Sequence, residues 1–253
     1  MTTVTIIIMT MTIPHTTMRN GLHSVQPLPF LRLQAWLSPA FPTGSYSYSH
    51  GLEWAVEAGS VYDRASLVDW LAADLRYGSG RNEGIFFGEA WSSAMRGDRV
   101  MLLEIAELAA AFRGTSEFAL ESVQQAASCR STLNQVWPDL LLDEIAESLW
   151  NRRIPLSLAL VLGIRCAKQD IPMILALPAF LQSYVANLVT AAVRLIPLGQ
   201  TDGQAAIASL EDTVLATSAE AATATIHELG STAFMVDLAS MAHETQYTRL
   251  FRS

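Results

Sequence analysis

Apolar residues recur at helical spacing along almost the whole chain, and no alternating run is backed by hairpin turn signals, so the pattern predicts helices and no strands. Phe30 to Leu37 predicts a short helix, stopped by Ser38-Pro39 and by Phe41-Pro42-Thr43-Gly44, and Gly51 to Glu57 belongs to a second, ended by Gly59. Asp63 can cap a third, in which Leu67, Leu71 and Leu75 recur four apart. Tyr77 to Gly80 interrupts it before Glu83 to Met95 resumes. Asp98 opens another helix through Phe112, and Thr115 or Ser116 caps the next, which runs to about Val136 and is closed by Pro138. Pro155 starts the apolar stretch Leu156 to Ala167, and Pro172 to about Leu195 is the most apolar helix. Thr201 or Asp202 opens a long helix to about Leu229, with Ile207, Leu210, Val214, Ala221 and Ile226 near one face. The expected fold is all-α: a single-domain bundle of eight to ten helices over residues 28–240, between a disordered leader, 1–27, and a flexible C-terminal tail, 241–253.

The uncharged stretch Ile171 to Val193 is long enough to cross a bilayer. Pro172 and Pro178 break its first half, and Gln182, Ser183, Tyr184 and Asn187 would place amides and hydroxyls at mid-depth, where unpaired polar groups are costly. A buried core helix is expected instead, and no membrane association. The leader has no basic n-region and only a short apolar run, Ile6 to Met9, unlike a signal peptide.

The 253 residues include 16 basic and 24 acidic side chains, a net charge of −8, which excludes a nucleic-acid binder driven by bulk charge. With 51% hydrophobic and 16% charged residues the chain is too apolar to be disordered, and some apolar surface is expected against partners. Cys129 and Cys166 have neither CxxC spacing nor a neighbouring His, so neither a disulfide framework nor a zinc site organises the fold. The phosphate-binding GxxxxGK[ST], HExxH and GxSxG patterns are all absent. His50 and His243-Glu244 could each hold a metal only weakly, and a lone His is more often structural. No catalytic residue is assigned, and no metal or stably bound cofactor is expected.

Three segments are over-specified for ordinary packing. In the first, Ser38 to Glu53, two prolines and Gly44 stiffen a loop that carries Tyr46 and Tyr48, large rigid side chains with polar tips. Two residues apart on one short segment, the pair should divide, one inward and one outward. In the second, Arg194 can cap the end of the most apolar helix or reach a partner, and Gly199, Gly203, Gln200 and Gln204 make a bare, amide-rich corner where Asp202 can cap the next helix. The third is the basic, aromatic end with Tyr247, Arg249, Leu250, Phe251 and Arg252, which can dock on the body or, as the favoured reading, on a partner. The expected partner-binding residues are therefore Tyr46, Tyr48, Arg194, Gly199, Gln200, Gln204, Tyr247, Arg249, Leu250, Phe251 and Arg252.

The loop FPTGSYSYSHGLE, the corner AAVRLIPLGQTDGQ and the tail HETQYTRLFRS occur in the order of, and closely resemble, the motifs of the urease accessory UreF family. The resemblance covers about residue 30 to the end. It implies an all-α cytoplasmic protein that forms a homodimer, binds the accessory protein UreD (also called UreH), and with it recruits the GTPase UreG for nickel delivery to apo-urease. Nickel would pass only transiently, and GTP would belong to the partner. An alternative role within the family, control of GTP hydrolysis, would have Arg194, Arg249 or Arg252 complete the partner's active site.

Overall fold

The computed structural model describes residues 27–252. The expected leader lies outside these apart from Pro27, which opens α1 (Pro27–Trp36), a first-turn position where its missing N–H costs nothing. Polar caps set the starts of most of the long helices. Asp63 and Ser66 form a reciprocal capping box on α3 (Arg64–Tyr77), and Asp98 and Thr115 accept backbone N–H groups of α5 (Arg99–Ala111) and α6 (Ser116–Val136). Ser157 does the same for α8 (Leu158–Lys168). Between them lie α2 (Leu52–Glu57) and α4 (Ser79–Arg96). The remaining long helix of this half, α9 (Met173–Leu195), follows Pro172.

All described regular elements are helical, as expected, but there are twelve α-helices rather than eight to ten, with short 3-10 turns at Ser45–Ser47 and Ile226–Glu228. One additional helix is α7 (Leu140–Arg152), capped by Asp139, directly after the point where Pro138 closes α6. The expected long helix to Leu229 is two, α10 (Gln200–Ser209) and α11 (Glu211–Ala221), because the chain turns at the buried Leu210. The turn lets α10 follow α9 and α3, while α11 reaches α4 as well. Asp202 sits within the first turn of α10 rather than at its cap, which is Gly199. The last helix, α12 (Phe234–His243), occupies the start of the expected tail.

α4 and α8 form the centre, with Ile85, Phe86, Phe87, Leu160, Val161 and Ile164 buried between and around them. Close approach depends on Gly163, where a Cβ would stand 2.7 Å from the Phe87 carbonyl oxygen. α9 is long and apolar enough to span a membrane by composition, and here Leu177, Phe180, Leu181, Val185, Leu188 and Val189 are buried in the bundle. It runs unbroken through Pro178, contrary to the expected interruption. Its polar residues serve internal contacts: the Tyr184 hydroxyl donates to Asp74 Oδ2 at 2.7 Å, and Asn187 Nδ2 to the Ser45 carbonyl at 3.4 Å.

Candidate functional site

The loop between α1 and α2 reverses direction through three left-handed residues, Gly44, His50 and Gly51, with φ of 77°, 56° and 76°. Gly51 is required twice, since a Cβ there would also meet the Ser240 backbone N of α12 at 2.8 Å. Between them the tyrosines divide as expected: Tyr46, in the 3-10 turn, is 65% exposed, whereas Tyr48, in extended backbone just after it, is 2% exposed. The Tyr48 hydroxyl donates to Gln124 Oε1 of α6. Burial raises the Tyr48 pKa, with Arg252 acting against it.

Arg194 neither caps α9 nor stands free; its Nη1 donates to the Tyr46 carbonyl at 2.9 Å, fixing the exposed tyrosine's loop. The guanidinium lies between two aromatic rings, 4.0 Å from the Tyr46 centroid and 4.3 Å from that of Phe251. The tail lies against its own chain. Phe251 is buried, and the Arg252 N–H donates to the Ser47 carbonyl at 2.9 Å. Arg252 Nη1 reaches the same Gln124 oxygen as Tyr48, at 3.3 Å, while Tyr247 is fully exposed and Leu250 is exposed. Loop, end of α9 and tail thus converge on one face.

The corner is divided. Arg194 joins the cluster, whereas Gly199, Gln200 and Gln204 open α10 and remain exposed. Gly203, between the glutamines, faces inward, where a Cβ would meet Val193 Cγ2 at 3.0 Å; the close backbone approach is within the chain.

Beneath the cluster lies a set of buried ionisable side chains whose grouping the residue pattern did not reveal. His243, wholly buried on α12, places Nδ1 2.8 Å from Glu117 Oε2 and Nε2 3.1 Å from Glu53 Oε2. Burial raises the Glu117 pKa, opposed by His243 and Arg249. Nearby, His50 stacks on Phe118 at 3.9 Å and pairs with Glu121 at 3.2 Å. Burial would lower the His50 pKa, but Glu121, Asp74 and Glu83 outweigh it and raise it. A partly open cavity of about 230 Å³ is lined by Pro39, Tyr46, His50, Glu83, Arg113 and Glu121 among others. Among the described residues no three His, Cys, Asp or Glu side chains are placed to share a metal ion. His243 and Glu53 stood within noted motifs, but nothing in the residue pattern linked Glu117 to either of them.

The UreF family model matches residues 61–211, more than half of the chain. The urease accessory protein UreF of Rhodopseudomonas palustris strain BisB5 is 43% identical over 240 residues, covering 95% of this chain and 98% of that protein. The chain belongs to the UreF family. Its counterpart in Bradyrhizobium diazoefficiens is 45% identical over 222 residues, 88% of this chain and 90% of that protein, and that in Xanthobacter autotrophicus is 43% identical over 234, 92% and 95%. The family model spans α3 to the start of α11, so the Arg194 position lies inside it, while the Tyr46 loop and the tail lie outside it.

Proposed function

We propose that this UreF-family chain is a non-catalytic scaffold of urease maturation in the cytoplasm. As a homodimer it bridges UreD/UreH and the GTPase UreG, so that nickel, held here only in transit, reaches apo-urease; GTP stays on the partner. The observation that carries this reading is the convergence of Tyr46, Arg194 and the tail on one rigid face, rich in aromatic and Arg side chains of the kind that anchor protein interfaces. The exposed α10 face with Gln200 and Gln204 is a second contact surface, for the other copy or for the GTPase.

The alternative, an arginine supplied to the GTPase, fits the geometry less well. Arg194 is held between two rings and on a carbonyl, Arg249 Nη1 is 3.1 Å from Glu117, and Arg252 reaches Gln124. Each would have to leave these contacts to enter a phosphate site. Single-turnover GTP hydrolysis by UreG, measured with and without this chain, separates the readings. The scaffold predicts a change well below the roughly 10³ to 10⁵-fold of an arginine finger. Acceleration in that range, lost in Arg194→Ala, would establish the alternative.

A further inference from the structure

Residues 27–42, from α1 to the second proline of the loop, are fastened to the body by apolar contact alone. Among the described residues, no hydrogen bond or ion pair joins them to any other part of the chain. Their bonds are internal: the Phe41 N–H donates to the Ser38 carbonyl at 2.9 Å and the Ala40 N–H to Ser38 Oγ at 3.2 Å, while Pro39 and Pro42 stiffen the turn. What holds the segment is the burial of Leu33, Trp36 and Phe41, with Trp36 edge-on to Trp137. The polar side of this contact is unfavourable. Arg32 Nε and Trp36 Nε1 are both buried without a hydrogen-bond partner among the described residues. Arg165, over the Trp36 ring, has its pKa lowered by burial, raised by Asp139 and lowered again by Arg32, so the two guanidinium charges oppose each other. A segment with few buried anchors and no hydrogen bonds to its surroundings belongs to the low end of local stability.

The same segment walls the cavity. Trp36, Leu37, Ser38, Pro39 and Thr43 line it, and most of the other lining residues belong to α4, α6, α8, α9 and the loop beyond Gly44. Attachment to other elements begins just past that glycine, where Asn187 Nδ2 donates to the Ser45 carbonyl at 3.4 Å and Arg194 Nη1 to the Tyr46 carbonyl at 2.9 Å. Gly44 has φ of 77° and no atom within 4 Å of where a Cβ would stand, so nothing packs against that side of it. Only the Thr43 hydroxyl spans it, donating to Ser45 Oγ at 3.1 Å and accepting the Ser45 N–H at 3.3 Å. We propose that residues 27–43 are a hinged strap, which swings as a unit about Gly44 and governs access to the cavity, with Leu33 and Trp36 as its catch. Opening admits solvent and solutes to the buried His50, Glu83 and Glu121 while the bundle stays folded; closing shields them. The strap is independent of the scaffold reading, since its motion needs no partner.

The test uses the full chain carrying Ser122→Cys, a small change at a residue that lines the cavity, and follows its reaction with a bulky maleimide. Cys129 and Cys166 are buried, and burial raises both thiol pKa values, so the introduced thiol is the one that reacts. Leu33→Ala, which removes half of the catch, should raise the labelling rate roughly tenfold or more. Arg32→Gln, at a half-buried site, ends the opposition to Arg165 and should lower the rate about threefold or more. Gly44→Asn keeps the left-handed conformation accessible but narrows the freedom of the backbone, and should also lower the rate. Amide hydrogen exchange at Phe87 and Leu160, in the central helices, should stay at the unmodified level in every variant. A labelling rate that either Leu33→Ala or Arg32→Gln leaves unmoved would overturn the strap, as would exchange in the central helices rising in step with labelling. An unchanged rate in Gly44→Asn would overturn the hinge at that residue.

Discussion

Tyr48→Ala is expected to cost about 3–5 kcal/mol of folding stability, the range for a large buried aromatic, and Tyr46→Ala under about 1 kcal/mol. The two residues stand two positions apart in one loop, and their environments are opposite. Tyr48 fills space inside the bundle and gives its hydroxyl to Gln124, an oxygen that Arg252 shares, so alanine there leaves a cavity and loosens the α6 side of the tail. Tyr46 contributes one face of the Arg194 sandwich and is otherwise in solvent. Urea denaturation of the two variants reads the difference. Equal losses would mean that the loop does not hold one tyrosine in and one out. Partner binding should follow the reverse order once the loss of folded protein is allowed for, because the exposed ring is the one available for contact.

A loss of similar size is expected for Arg165→Ala, about 3–5 kcal/mol, the cost of stranding a buried charge. Arg165 is 0% exposed on α8, its Nη1 3.0 Å from Asp139 Oδ2 and its Nη2 donating to the Trp137 carbonyl at 2.7 Å. Its guanidinium lies 5.6 Å from the Trp36 ring, which meets Trp137 edge-on. Burial pulls the Arg165 pKa down and the Asp139 charge holds it up. One side chain thus closes the α6–α7 corner, where Asp139 also caps α7 through the Leu142 N–H. In the Asp139→Asn background, which can keep the cap and removes the charge, Arg165→Ala should cost measurably less. An unchanged cost in that background would show that packing, not the ion pair, dominates at this corner.

Most helix starts were legible because their caps are local. Asp63, Asp98 and Thr115 each act on an N–H three residues on, which is a short-range signal. α7 carries the same signal, Asp139 followed by Leu142, Ile145, Ala146 and Leu149, but the proline before it signals the end of α6 and masks the new start. α12 was hidden by apolar residues on both sides: Val236 and Ala239 face the core while Phe234, Met235, Leu238 and Met241 are exposed, so the helical stripe is blurred. α10 and α11 share one stripe, and only packing on different neighbours reveals the turn at Leu210.

The motif positions were legible as unusual composition, and Tyr46, Arg194 and Phe251 do meet in space. What they meet through was not. Glu53 and His243 are 190 residues apart, and a glutamate in the first turn of α6 reads as an ordinary helix-start acid until the fold places Glu117 against His243. Arg165 offered a subtler clue, a charge inside LALVLGIRCAK, where an apolar helix would be expected to exclude it without a buried partner.

The central claim, that the chain serves nickel insertion into urease, is tested most directly by the nickel content and activity of urease purified from cells lacking it. The account predicts urease subunits made in normal amount, poor in nickel and nearly inactive, with both properties restored when the intact chain is supplied. Urease with its normal nickel content and activity in such cells would contradict it.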